Sequence, residues 1–422
     1  MLIAATLLSM AVAAHAQLGL PGAGGVIDGV RSGVGQVADT LDPERLEGVA
    51  SNLGRTARDL LGARRLRLDR LVRDHGDAVV RDPDGNPAVR GVVILTGASD
   101  DAMDALRRIG YPVEAERIDG LDIGFARVSI PEGETLAEAI RRLRKLVPGA
   151  SVSADPLYFP SGPAPAPAGA GLAGGGDADG AGPIGLIDGG VARHPSLTGP
   201  VTQRGFAKGA PVASGHGTAV ASLLTGTGPV KGAAPGVPLL VADVYGADPA
   251  GGSAIAIARA LGWMAVANAR VVTISLVGPA NPLLLGALQA ARRRGLSIVA
   301  AVGNDGPAAP PAYPASYPGI IAVTGVDGRD KVLVEAGKAL HVDFAAPGAD
   351  MMAASADGRA VRVRGTSFAA PLVAGRLYRH LSGNTPDAAL RALAGEAKDL
   401  GRKGMDPVYG RGLICADCRN NH

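Results

Sequence analysis

From residue 183 onward, short apolar runs alternate with stretches of helical spacing. The runs are IGLID, PLLVADVY, ARVVTISLVG, LSIVAAVG and IIAVTGV, all rich in β-branched residues. Helical patterns lie between them, near residues 217–224, 253–267 and 282–293. Strands apolar on both faces and separated by helices predict an α/β fold, a parallel sheet with helices on both faces. In such sheets, functional residues collect beyond the carboxyl ends of the strands.

A different rhythm runs through residues 91–159. GVVILTG reads as a strand. Ser99 caps a helix through Ile109, with Met103, Leu106 and Ile109 on one face. Strands follow near residues 112–118 and 124–130. Thr135 opens a helix in which Leu136, Ile140, Leu143 and Val147 recur at helical spacing, and residues 151–159 form a last strand. Strand, helix, strand, strand, helix, strand is the ferredoxin-like α+β arrangement.

Residues 160–182 are mostly Pro, Ala and Gly and cannot pack a core, so they read as a flexible linker open to proteolysis. Residues 17–90 are Arg-rich, with helices expected over 43–50 and 51–75. Arg64, Arg65, Arg67, Arg70 and Arg73 read as the solvated face of a helix whose other side carries Leu61, Leu68, Leu71 and Val72; an acidic surface is the other use for them.

Composition narrows the class. Apolar residues are 47% and charged residues 19%, enough for a large core, yet aromatics are only 3%. The core must therefore be Ala, Val, Leu and Ile, and the 62 glycines mark many tight turns. A net charge of +3 is too small to argue for nucleic acid, and no aromatic-studded basic strand or zinc-finger spacing appears. Residues 1–16 are apolar and end in Ala14-His15-Ala16, the small-x-small pattern of a secretory signal peptide, although no Lys or Arg precedes the apolar run. Export to the periplasm or the medium is expected, with no membrane span in the mature chain. Residues 415–422 hold Cys415 and Cys418 in ICADC; a local disulfide, free thiols and a metal site with His422 all fit that spacing.

Four polar residues stand where a strand ends or a helix starts. Asp188 ends IGLID. His216 sits between glycines in SGHGTAVASLL. Asn304 follows AAVG. Ser367 opens GTSFAAPLVAG. Each alone has a structural explanation, as a turn residue or a helix cap. Together they supply what acyl transfer needs. Serine is a nucleophile once a base takes its proton, histidine is that base, a carboxylate fixes its tautomer, and an amide can hold the oxyanion.

On IGLIDGGV, GHGTAVAS, TISLVG, AAVGNDGP, YPASYPGIIAVTGVD, FAAPG and GTSFAAPLVAG, residues 183–414 resemble the subtilisin-like serine proteases. The resemblance implies Ser367 as nucleophile, His216 as general base and acid, Asp188 as its orienting carboxylate, and Asn304 with the Ser367 N–H as oxyanion donors. It implies that Ser275, Leu276, Val277 and Gly278 form an edge strand that pairs with substrate, and that Ala301, Val302, Gly303 and Ala312 line the main specificity pocket. The α+β region resembles the family's propeptide, an intramolecular inhibitor and folding aid, with residues 154–159 in the cleft. Pro160 makes a cut after Phe159 awkward, which places maturation in the linker.

Protein or peptide substrates follow from the resemblance. No cofactor is required for such chemistry, and although the family often binds structural calcium, no loop shows the dense oxygen ligands of a calcium site. Asp305 at the pocket edge argues for a basic substrate side chain, Val302 for a modest apolar one. Four departures from the family pattern stand out: Gly189 in place of a hydroxyl residue, Ala219 in place of a second His, Val277 in place of Gly, and Val302 in place of Ala. None removes a catalytic group, which weighs against a silent, peptide-binding protein. An esterase would carry a G-x-S-x-G elbow, and none surrounds Ser367.

Overall fold

The computed structural model describes residues 43–161 and 182–419. The expected signal peptide, most of the linker and His422 lie outside the described residues. Helix α1 (Pro43–Asp74) is followed by β1 (Val79–Arg81), β2 (Pro87–Thr96), α2 (Asp100–Arg108), β3 (Val113–Ile118), β4 (Ile123–Ser129), α3 (Leu136–Leu146), β5 (Ser151–Pro156) and β6 (Phe159–Pro160). After the linker come β7 (Ile184–Asp188), β8 (Val201–Gly205), α4 (Gly215–Thr225), β9 (Leu239–Asp243), α5 (Ala254–Val266), β10 (Val271–Ile274), β11 (Leu276–Val277) and α6 (Pro282–Arg293). The remainder is β12 (Ser297–Ala301), β13 (Ile321–Val326), β14 (Phe344–Pro347), a hairpin of β15 (Met351–Ala354) and β16 (Ala360–Val363), then α7 (Thr366–His380) and α8 (Pro386–Glu396).

Seven parallel strands form the main sheet in the order β14-β13-β12-β10-β7-β9-β8. Successive residues face opposite sides, so Val272 and Ile274 pack with α5 and α6, while Val271 packs with α4 and α7. Helices thus cover both faces, as the continuous apolar runs predict. The small residues of α4 follow from its position. Every residue from Gly215 to Thr225 is buried, and a Cβ on Gly217 would lie 2.3 Å from the carbonyl oxygen of Gly189.

The α+β region forms an antiparallel sheet in the order β5-β2-β4-β3, with α2 and α3 packed on one face. Thr135 and Glu138 make a reciprocal capping box at the start of α3. The other face rests on α5 and α6, where Ile94, Ile118, Leu121 and Phe125 join the main core. Gly262 permits the approach, since a Cβ there would lie 2.2 Å from the Asp119 carbonyl oxygen. Burial dominates this contact: each such side chain contributes about 1.5–3 kcal/mol. The pairs Arg259–Glu116 and Arg294–Asp122 bridge the same boundary with half-exposed arginines, and such pairs are worth about 0–1 kcal/mol.

Several expectations need correction. One continuous helix spans residues 43–74 rather than two. Ile109 is 57% exposed, because the helix ends at Arg108 and Ile109 turns outward as its C-cap. Strand β1 pairs with the start of β2, and its three residues are too few to show a period in the sequence. The run 151–159 is two strands: residues through Pro156 pair with β2, and the chain then leaves that sheet. Strands β8 and β14, the β15–β16 hairpin and α8 add to the predicted elements. Cys415 and Cys418 form the local disulfide.

Candidate active site

Asp188 is the last residue of β7 and is fully buried. Its Oδ1 accepts the Gly189 N–H at 2.7 Å, and both carboxylate oxygens lie 2.9 Å from His216 Nδ1. A carboxylate oxygen accepts, so the hydrogen in this contact is the one on Nδ1. The ring's Nε2 is buried with no hydrogen-bond partner among the described residues. The ring is set by its place as the second residue of α4 and by Phe368, 5.5 Å away between ring centroids.

Ser367 is the second residue of α7 and does not cap it. The N-cap is Gly365, with no side-chain cap bond. Instead, the Ser367 hydroxyl donates to the carbonyl oxygen of Ser161 at 2.6 Å. The Ser367 N–H points to the same oxygen at 3.4 Å, and Asn304 Nδ2 donates to it as well. Three donors therefore converge on one carbonyl. Asn304 is oriented from behind: its Oδ1 accepts the Thr366 N–H at 3.0 Å, and the Thr366 hydroxyl bridges the N–H and carbonyl of Gly303, each at 3.1 Å. Gly365 has φ +144°, and a Cβ there would lie 2.6 Å from Asn304 Nδ2, so the position excludes other residues.

The carbonyl is delivered by an extended segment. Phe159 and Pro160 pair antiparallel with Val277 and Leu276. The Ser161 N–H and hydroxyl both donate to the Ser275 carbonyl, at 3.0 and 3.1 Å. On the other side, Tyr158 N–H donates to Gly252 at 2.8 Å, and Leu157 bridges Ser253. The Tyr158 ring is fully buried against Gly278, and its hydroxyl donates to the Pro279 carbonyl at 2.7 Å. Burial raises its pKa well above the usual tyrosine value, which keeps it a neutral donor.

Beside the segment lies a cavity of about 300 Å³. Val277, Gly278, Val302, Gly303 and Ala312 line it, with Arg64 and Arg67 of α1 across from them. Ala301 does not reach it. That residue is in the last position of β12 with its side chain in the core under α7, and Leu276 is likewise a core residue. The Ser275 hydroxyl is turned inward to the Ser367 carbonyl at 2.9 Å. The expectation that residues 154–159 fill the cleft is shifted: Ala154 and Asp155 belong to β5, and residues 157–161 lie in the cleft.

Gly189 has a local reason. A Cβ there would lie 2.5 Å from Ser214 Cβ and 2.8 Å from its hydroxyl, which caps α4. The backbone N–H of Gly189 holds the carboxylate without a hydroxyl side chain. Ala219 is buried in the core rather than turned to the cleft. No local pattern marks Ser161, Gly252 or Tyr245, whose hydroxyl donates to the Tyr158 carbonyl at 2.8 Å. Thr366 is marked by its place beside Ser367; the pairing of Ser161 with Ser275 depends on a register set by tertiary packing.

Residues 183–412 match the family model described as the subtilase family. Subtilisin BL of Lederbergia lenta is 32% identical over 251 residues, 56% of this chain and 88% of that protein. An alkaline protease of Alkalihalobacillus alcalophilus shows the same identity over 63% of its length. Among solved structures, fervidolysin of Fervidobacterium pennivorans, a keratinolytic enzyme related to subtilisin, has a TM-score of 0.63 at 20% identity and covers 80% of this chain and 62% of that one. The epidermin leader peptide processing serine protease of Staphylococcus aureus has a TM-score of 0.57 at 16% identity, over 78% of this chain and 97% of that one. Both likenesses of fold take in more of the chain than residues 183–412.

Proposed function

The chain belongs to the subtilase family and is a serine endopeptidase that hydrolyses peptide bonds, and from that premise we propose that it is an exported zymogen that cuts itself after Ser161. The observation that carries the reading is the triple-donor contact on the Ser161 carbonyl. A carbonyl held in this way, on a backbone paired to an edge strand, is a substrate carbonyl presented for attack. Export rests on the Ala14-His15-Ala16 pattern.

In the proposed mechanism, the Ser367 hydroxyl turns from the carbonyl toward His216 Nε2, which takes its proton as Oγ attacks the carbonyl carbon of Ser161. Asp188 stabilises the resulting imidazolium through Nδ1–H. Asn304 Nδ2 and the Ser367 N–H hold the oxyanion. The bond to the nitrogen of residue 162 breaks, His216 gives its proton to that amine, and water hydrolyses the acyl-enzyme by the reverse use of His216. The fragment that ends at Ser161 then remains on α5 and α6 as a cleaved inhibitor, held by the burial of Ile94 and Phe125. Peptide and protein substrates would pair with Ser275–Gly278 in the same extended form.

The experiment is labelling of purified full-length protein with a fluorophosphonate, beside Ser367→Ala, with intact mass followed over time. Labelling at Ser367 and a cut after Ser161, both absent from the variant, support the reading. Labelling without a cut retains the enzyme and removes the zymogen. No labelling after the N-terminal region is trimmed away removes the catalytic reading and leaves a peptide-binding protein.

A further inference from the structure

We propose that the rim formed by Asp305 and Gly306 is a docking surface for the chain's own arginine-bearing helix α1, a further hold on the enzyme apart from the strand in the cleft and the α+β sheet. Asp305 follows the oxyanion donor Asn304 directly. Its two carboxylate oxygens take one guanidinium each: Arg64 Nε lies 3.1 Å from Oδ2 and Arg67 Nη2 lies 2.9 Å from Oδ1. Next to this pair, Leu60 covers Gly306 so closely that a Cβ there would lie 2.9 Å from its Cδ1. Leu68 is 4% exposed and, with Arg64 and Arg67, completes the cavity wall opposite Val277, Val302 and Ala312. The helix therefore lies across the cavity beside the reactive carbonyl. Its far end is tied to the α+β region through the Arg81–Asp69 ion pair, and Leu71 and Val72 pack with Val79 and Leu157. A paired guanidinium clamp on one carboxylate gives orientation as well as attraction.

This inference rests on the zymogen reading, because a cut after Ser161 leaves α1 on a fragment held without a covalent bond. Its consequence is that the fragment leaves more slowly than the cleft strand and α+β sheet alone would dictate. The test uses the full chain and times two events: the cut, by mass, and the onset of hydrolysis of a small fluorogenic peptide. Arg64→Ala/Arg67→Ala shortens the interval about 3- to 10-fold, Asp305→Asn does the same, and the three together do no more. Added NaCl shortens the interval in the wild type and not in the variants. An interval unchanged in the arginine variant, or effects of the two sides that multiply independently, overturns the proposal. If the wild type does not cut, whether or not it labels, the zymogen reading itself has failed. The docking is then read by amide hydrogen exchange of residues 54–74 in Ser367→Ala protein: protection lost in both Arg64→Ala/Arg67→Ala and Asp305→Asn upholds the surface, and unchanged protection overturns it.

Discussion

The hydroxyl of Ser367 donates a 2.6 Å hydrogen bond to the carbonyl oxygen of Ser161. Ser161 is separated from Ser367 by most of the catalytic region, and in the proposed mechanism this contact selects the bond that is cut. The new amino terminus after maturation is expected at Gly162, read by terminal sequencing of the larger fragment. The rate should not change on tenfold dilution, since the bond is delivered within one molecule. Gly365→Ala would push its Cβ into Asn304 Nδ2 and Ser161 O. It is expected to slow the cut by about 10²-fold or more, the scale of a lost oxyanion donor. A cut at another bond of the linker would break this assignment.

Asn304 should act in the transition state and not in binding. With Asn304→Leu, kcat on a peptide substrate is expected to fall about 10²- to 10³-fold while KM stays within a few-fold. Thr366→Val removes the hydroxyl that links Asn304's loop to α7 through Gly303. A smaller loss in kcat, again with KM held, is the expected result. Equal losses in kcat and affinity would mean that Asn304 holds substrate rather than oxyanion.

Gly189 and Ser214 share one space. A threonine at 189, the more usual residue type beside such an aspartate, would overlap Ser214 Cβ. Gly189→Thr is expected to cost about 1–3 kcal/mol in unfolding free energy, the range for overpacking. Chemical denaturation in a Ser367→Ala background avoids self-digestion. Adding Ser214→Gly should restore most of the loss, since glycine at an N-cap costs only a few tenths of a kcal/mol. A second substitution that leaves the loss unchanged would place the strain elsewhere.

The sequence made the catalytic sheet legible because its strands are buried on both faces and its site residues follow directly on strand ends, as Asp188 and Asn304 do. Strand β8, with exposed Thr202 and Arg204, lacks that continuous signal and sits at the sheet edge. The α+β region was legible through its helix caps, Ser99 and Thr135. Contacts made by tertiary register were not legible. The seating of Ser161 depends on backbone bonds to Ser275, and the grip of Asp305 on Arg64 spans 241 positions, so neither leaves a local pattern. The four catalytic candidates were readable for the opposite reason, since each needs glycine or small neighbours for close backbone approach.

Asp155 should make the hold of the cleaved fragment depend on pH. Its carboxylate is 3% exposed and accepts the Ile255 N–H at 3.1 Å at the start of α5. Burial lifts its pKa from 3.8 to about 7, against the opposing pull of the α5 N–H groups, Ser253 and Arg259. In the released fragment Asp155 faces water and regains an ordinary carboxylate value. Between these two values the docked form binds more protons than the free form, so the docked form is favoured by acid. Its hold is strongest below pH 4, weakens as pH rises toward 7, and changes little above. From pH 5 to pH 8 the fragment should bind on the order of 10²-fold more weakly. Asp155→Asn keeps an acceptor for the Ile255 N–H without a charge and should bind with nearly equal strength at both pH values. The measurement is the fraction of self-cut protein that still carries its N-terminal fragment on size exclusion at pH 5 and pH 8. Loss of the fragment at pH 5 with retention at pH 8 would reverse the sign and remove Asp155 as the cause.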